Sequence, residues 1–354
     1  MDIALVTHTG DPTHGADPGP GAGDVASPVE AAGGGADGAG ATGGGADRAG
    51  ATDGGEDRAE ADRMAVAGRD DRSLVSALVS RDVRVHRPAW DDPDVEWATF
   101  DLVVLRATGD DPGRRDELVA WAERVGATTR LRNPADVIRW NSHRSYLLEL
   151  EERGAPVVPT AWLGRGDAID LAELLAARGW HDAVIRPAVP GLGHEPMRVR
   201  VDAGGGPAAT VLAAATAGAI DLAADLPAGQ HHLDALLAVD DVLVQPFLAS
   251  GAEEGELSVV LFGGQVSHAV RRRPTDRDRR VAEPIDTEVA ALAHWVVEAT
   301  GVADLLLARV DLLTDSSGTW QLVALNATAP ALFLAADPLA AERAADALVA
   351  EVGG

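Results

Sequence analysis

Six arginines fall within ten positions: Arg271, Arg272, Arg273, Arg277, Arg279 and Arg280. The chain around them carries a formal charge of −26. Such a concentration draws anions, and guanidinium groups bind phosphate and carboxylate oxygens bidentately. The aromatic residues that would stack nucleic-acid bases are missing there, so a small anionic ligand fits better than a polynucleotide. Alternation along an extended segment after Val270 turns Arg271 and Arg273 to one face, with His268 nearby. The remaining arginines have Asp276 and Asp278 as pairing partners. A second candidate cation, Arg186, ends the run Ala183-Val184-Ile185 just before Pro190-Gly191-Leu192-Gly193-His194. Two glycines let that loop approach a ligand closely, although a lone GxG is also an ordinary turn. Adjacent His231 and His232 with Asp234 do not make a zinc site. Neighbouring helical positions point apart, and no fourth ligand is evident.

The composition narrows the field. A chain of 354 residues is long enough for two or three structural units. Its acidity argues against general nucleic-acid binding or an anionic membrane surface. With no cysteine, disulfides, iron–sulfur clusters and thiol catalysis are excluded. All 30 basic residues are arginine, so no lysine nucleophile or Schiff base exists. No apolar run approaches the length of a membrane span. Asp2-Ile3-Ala4-Leu5-Val6 is too short for a secretory signal and lacks a basic lead. The expectation is a soluble cytoplasmic protein.

The elements that must position these groups follow from periodicity. Ile3–Val6 reads as a strand. From about Gly10 to Asp62 the chain turns to Gly, Ala, Asp and Pro, with decapeptide repeats GGGADGAGAT at 33–42, GGGADRAGAT at 43–52 and DGGEDRAEAD at 53–62. Too little apolar surface lies there to offset ordering, so it reads as a disordered insertion spanning about 10–70. A calcium-binding β-roll would need a larger apolar residue in each repeat than Ala. Ser73–Val79 has helical spacing, Val83–His86 alternates, Phe100–Leu105 is a buried-strand run, and Glu117–Val125 reads as a helix. Strand and helix in alternation predict a parallel, helix-covered sheet.

A second unit opens with Asn133 as the cap of a helix running toward Arg153, with Pro134 in its first turn and Gly154 as its stop. Strands follow at Val157–Thr160, Ala183–Pro187 and Met197–Val201, with helices at Ile169–Arg178 and Ala208–Ile220. A third unit starts at Val242 with the strand Val242–Phe247. Leu257–Phe262, Gly263-Gly264 and Gln265–Val270 form a hairpin. A helix at Glu288–Thr300 precedes strands at Leu305–Leu313 and Trp320–Asn326, and a helix at Pro338–Val349 closes the chain. The eight tryptophans are scattered, as packing residues are.

These stretches together resemble the ATP-grasp superfamily, nearest its actinobacterial O-ureidoserine cyclo-ligase (cycloserine synthetase)-like group. The resemblance is carried by DDPDVEWATFDLVVLR, NPADVIRWNSHRSYLLELEERGAPVVPT, VQPFLASGAEEGELSVVLFGGQVSHAVRRRP, ARVDLL and APALFL, spread from Trp90 to Phe333. It implies an α/β fold: a Rossmann-like N-terminal domain at 1–132 and two ATP-grasp subdomains at 133–241 and 242–354 that clasp nucleotide. It also implies ATP with Mg²⁺ as cofactors, and ligation of a small carboxylate, activated as an acyl phosphate, to an amine-like nucleophile. On this pattern Gln245, Pro246, Phe247 and Leu248 frame adenine, and Glu254 or Glu256 accepts from ribose. Arg144 and Arg186 stand where relatives carry nucleotide-binding lysines. Arg186, Arg271 and Arg309 neutralise phosphates, Arg273 and His268 face the substrate, and Asp311 with Asn326 holds the metal. The pattern departs at Ala324, where a bridging Glu is usual, and at Ala329, where close relatives have an acid. Ala107-Thr108-Gly109-Asp110-Asp111 likewise replaces a stretch rich in Trp and Tyr. A degenerate ATP-grasp protein with little or no turnover, and an adaptor using the acidic arm, are the other readings. The oligomeric state is not legible.

Overall fold

The computed structural model describes residues 1–8, 70–107, 112–190, 196–201, 223–273, 281–302 and 305–353. The repeats, most of the Pro190–His194 loop, the expected helix Ala208–Ile220, and Arg277, Arg279 and Arg280 lie outside them.

Three sheets are present among the described residues. The first holds β1 (Asp2–Val6), β2 (Arg84–His86), β3 (Leu102–Leu105) and β4 (Leu131–Arg132), all parallel, in the order β2-β1-β3-β4. The runs Ile3–Val6 and Leu102–Leu105 are buried on both faces, as a helix-covered parallel sheet requires. Ile3 and Leu5 meet Leu74 and Leu78 of α1, which spans 70–79. Ala4 and Val6, on the opposite face, meet Leu118, Trp121 and Val125 of α2 (Arg115–Gly126). Trp97 packs edge-on against Trp121 there.

The second sheet is antiparallel, with β5 (Ala161–Leu163), β8 (Val242–Pro246), β6 (Asp182–Pro187) and β7 (Met197–Arg200) in that spatial order. It is backed by α5 (Leu171–Arg178) and α6 (Leu226–Leu237). The expected strand over 157–160 is displaced to β5, and Val157 makes only an isolated bridge to Leu322. Because β8 pairs with both β5 and β6, the sheet boundary falls after Pro246, not before Val242.

The helix expected from 134 to 153 is two helices, α3 (Ala135–Asn141) and α4 (Tyr146–Glu152). They part where the Arg144 N–H donates to the Ala188 carbonyl at 2.8 Å, leaving the helical ladder for the second sheet. Asn133 does not cap the helix. Its Nδ2 donates to the Leu307 and Ala327 carbonyls, and its Oδ1 accepts from the Leu306 N–H. Asn141 likewise donates to the Leu325 carbonyl and accepts from the Ala327 N–H. Two buried asparagines therefore bolt α3 to the third sheet.

That third sheet follows the short helix α7 (Ser250–Glu253). It contains β9 (Glu256–Phe262), β10 (Gln265–Arg272), β11 (Val281–Glu283), β12 (Leu307–Thr314) and β13 (Trp320–Asn326), in the order β11-β10-β9-β12-β13. Gly263 and Gly264, both at positive φ, make the two-residue turn of the β9–β10 hairpin. Helix α8 (Thr287–Ala299) covers one face. Helix α9 (Ala340–Gly353) packs Ala344, Ala345 and Leu348 into the core that β9 and β10 share with the first sheet. Among the described residues no helix is long and apolar enough to cross a membrane.

Candidate functional site

A cleft lies between the second and third sheets. Val184 and Arg186 of β6 and Gln245 of β8 form one wall, continued by Pro246, Phe247 and Leu248. Glu256, Arg272, Leu313 and Val323 form the other, with Val158 between. The lining combines apolar side chains with the Arg186 and Arg272 guanidiniums. The Nε of Arg186 is buried with no hydrogen-bond partner among the described residues. Burial lowers its pKa. A buried donor of this kind calls for an acceptor, and phosphate oxygen supplies one.

Cross-strand register assembles the charged groups around Arg272. Glu256 is opposite Arg272, Ser258 is opposite Val270 and Asp311, and Arg309 is opposite Asn326. Residues paired across a sheet share a face, so these side chains converge although they are up to 70 positions apart in sequence. Asp311 is buried at 3% exposure. It accepts from Arg309 Nε at 2.9 Å, Arg309 Nη2 at 3.0 Å, Ser258 Oγ at 2.6 Å and Asn326 Nδ2 at 2.8 Å. Burial disfavours its ionised form, but Arg309 and Arg272 outweigh that and hold its pKa below the ordinary carboxylate range. Arg272 pairs with Glu256 and lies 3.4 Å from Asp311. Glu256 has its pKa raised, chiefly by burial, with Arg272 opposing.

The expected residues divide as follows. Arg186, Gln245, Pro246, Phe247, Leu248 and Glu256 line the cleft. The Gln245 amide nitrogen donates to Thr160 Oγ1 at 2.9 Å. The Phe247 ring sits under the Arg198 guanidinium at 3.5 Å. Glu254 is exposed and gives its carbonyl to Arg273. Arg144 is buried behind the wall, donating to the Pro187 carbonyl, and burial beside Arg186 lowers its pKa to about 10.

Arg272 occupies the cleft, whereas Arg271 pairs with Glu283 and the Gly255 carbonyl. Arg271, expected with Arg273 to face the ligand, lies on the face of β10 opposite to Arg272 and does not line the cleft. The face carrying buried Val270 also carries the polar cluster, because the core covers only part of it. Arg309 is locked onto Asp311 and the Ala331 carbonyl.

His268 lies away from the cleft. Its Nε2 donates to the Leu332 carbonyl at 2.8 Å, and its Nδ1 meets Ser267 Oγ at 3.0 Å. Burial lowers its pKa, so the native chain favours the neutral ring. A base with a depressed folded pKa stabilises above its unfolded value of about 6.5, and that contribution is lost as pH falls below it. His268→Gln is therefore expected to flatten the fall in Tm between about pH 7 and 5, measured by thermal unfolding across that range. An unchanged slope would remove His268 as the cause.

Sequence reading missed Ser258, Phe333 and the Glu256–Arg272 pair. The first two have no local signal. The third escapes because a bulge between Val266 and His268 shifts the hairpin register by one: extension from Gly263-Gly264 alone pairs Arg272 with position 255 and Arg271 with Glu256.

Residues 59–133 match the family described as D-cycloserine synthetase DcsG, N-terminal domain. The cycloserine biosynthesis protein DcsG of Streptomyces lavendulae is 28% identical over 282 residues, covering 73% of this chain and 86% of that protein. The crystal structure of D-cycloserine synthetase DcsG aligns with a TM-score of 0.68 at 26% identity, covering 80% of this chain and 95% of that one. ATP-grasp ligase PsnB, solved with a minimal precursor, Mg and ADP, aligns with a TM-score of 0.53 at 17% identity over 80% of this chain and 95% of its own. Three sheets in this order, a cleft between the second and third, and these likenesses lead to one assignment: the chain has the ATP-grasp fold and is similar to D-cycloserine synthetase DcsG.

Proposed function

We propose that the chain is an ATP-dependent carboxylate–amine ligase. ATP gives its γ-phosphoryl group to a carboxylate oxygen of a small substrate, releasing ADP. An amine-like nucleophile then takes the acyl group and releases phosphate. The observation that carries this reading is the buried Nε of Arg186, without a hydrogen-bond partner among the described residues, on the wall of a cleft lined on its other side by Arg272. Phosphoryl transfer depends on positioning and charge neutralisation, which two opposed guanidiniums supply. Val184, Leu313 and Val323 provide the apolar slot for adenine, edged by the backbone of 245–248. Glu256, at the cleft wall, is better placed than Glu254 for a sugar hydroxyl.

The donor set is a minimal one for a hard divalent cation, since both Asp311 oxygens already accept from Arg309, Ser258 and Asn326. Asn326 spends its amide N–H on Asp311, which leaves its carbonyl oxygen without a hydrogen bond among the described residues. Asp311 and Asn326 would hold Mg²⁺, with nucleotide phosphates and water completing the shell, as Mg²⁺ sites with few protein ligands commonly do. When bound, the ion would screen the phosphate charge.

The division at 1–132, 133–241 and 242–354 serves as the working domain scheme, with β8 moved to the second unit. A cytoplasmic location and small-molecule carboxylate and amine partners, without nucleic acid or membrane, complete the proposal. A second reading, nucleotide binding with little turnover, is favoured by Ala324. It stands opposite Asp311 in the β12–β13 ladder and supplies no oxygen.

Calorimetric titration of the full chain with ATP, with and without Mg²⁺, tests both. We expect ATP to bind, and Mg²⁺ to tighten it by about tenfold, the scale of one charge-assisted contact. Binding indifferent to Mg²⁺ would favour the second reading. Absence of heat with any nucleotide would overturn both.

A further inference from the structure

The loop over 330–334 joins the site to the first sheet's domain in a way the proposed chemistry does not require. Asp70, at the start of α1, is 2% exposed. Its Oδ2 accepts from the Leu332 and Phe333 N–H groups, both at 2.8 Å, and its Oδ1 accepts from the Leu334 N–H at 2.7 Å. One carboxylate thus satisfies three consecutive backbone donors, which fixes the local backbone path. Its neighbour Asp71 is clamped by Arg87 at 2.7 Å and Arg106 at 3.0 Å, and Arg106 also donates to the Pro330 carbonyl at 2.9 Å.

The residue at the centre of this grip is strained. Phe333 has φ +50° and ψ +41°, a left-handed conformation that a bulky residue adopts only when its surroundings impose it. The result is that its buried ring lies 5.5 Å from the Arg309 guanidinium carbon and 5.8 Å from that of Arg272. Both distances are within the range of cation–π attraction. The neighbouring carbonyls of Ala331 and Leu332 accept from Arg309 and His268. Two guanidiniums of this charged cluster therefore rest on an aromatic floor whose position is set from another domain.

We propose that Asp70 is a positioning residue: through the backbone of 332–334 it seats Phe333 against Arg272 and Arg309, and so sets the grip on the terminal phosphates of ATP. This rests on the ligase reading of the cleft. It assigns to the N-terminal domain a share in nucleotide affinity that is confined to the β- and γ-phosphates, because the adenine wall belongs to other residues.

The test compares two ligands on the full chain by calorimetry. AMP reports the base, the sugar and the first phosphate, whereas ATP adds the terminal phosphates. In Asp70→Ala we expect ATP affinity to fall at least tenfold, with AMP affinity unchanged within twofold. Asp70→Asn keeps one acceptor oxygen and is expected to lie between. Should Asp70→Ala fail to fold, Phe333→Leu, which removes the aromatic floor and leaves the carboxylate clamp, is expected to give the same selective loss. A merely structural Asp70 would weaken both ligands in parallel. Parallel loss, or no loss of ATP affinity, would overturn the proposal. Wild-type protein that binds neither ATP nor AMP would instead overturn the ligase reading itself.

Discussion

Asp311→Asn is expected to lower ATP-dependent ligase turnover by about a thousandfold, at the upper end for loss of one preorganised electrostatic group. The substitution keeps the shape of the side chain. An amide oxygen at the Oδ1 position still accepts from Arg309 Nε and Ser258 Oγ. The new NH₂, however, faces Arg309 Nη2 and Asn326 Nδ2, both of which are donors. Two contacts become repulsive, and the cationic pair Arg272 and Arg309 loses its central counter-charge. The proposed Mg²⁺ position would lose its carboxylate and keep only an amide, and a hard dication binds anionic oxygen far better. ATP affinity measured without Mg²⁺ is expected to survive, since removing a negative charge from an anion-binding wall does not oppose an anion. Turnover lost with Mg-free binding retained is the signature. Full turnover in this variant would show that Asp311 is a structural counter-ion only.

Much of this architecture can be read from the chain, and the reasons differ by element. Ile3–Val6 and Leu102–Leu105 are apolar on both faces and mark a buried parallel sheet without further help. Gly263-Gly264 announces its hairpin because both turn positions need positive φ. Arg186 and residues 245–248 are legible as cleft-lining positions because they lie toward strand ends. What escapes is set by pairing between distant strands. Nothing near Asn133 says that it bonds to Leu307 and Ala327, so capping was the local expectation. The choice between Arg271 and Arg272 depends on which face of β10 the core covers, and α9 and the loop at 332–334 decide that from far along the chain. Asp70 is invisible for the same reason: its three partners lie more than 260 residues away.

Arg272→Met should separate binding from stability. Methionine matches much of the volume but removes the charge that faces both Glu256 and Asp311. ATP affinity is expected to fall about 10- to 100-fold, the equivalent of one or two charge-assisted hydrogen bonds. Stability is expected to fall as well, because breaking a buried pair strands its partner, at a cost of about 3–5 kcal/mol when that partner stays charged. Glu256 has a way out. Its pKa is already raised by burial with Arg272 in place. Without Arg272 it rises further and the carboxyl can take up a proton. An acid whose folded pKa lies above its unfolded value of 4.5 destabilises only above that value. The variant's deficit should therefore be small near pH 5 and grow toward pH 8, read as the difference in denaturation midpoint from wild type. Adding Glu256→Gln removes the stranded charge, so the double variant should regain most of the stability at pH 8 while ATP affinity stays low. A double variant that recovers affinity along with stability would mean that Arg272 serves only to neutralise Glu256, leaving Arg186 to carry the phosphate contact alone.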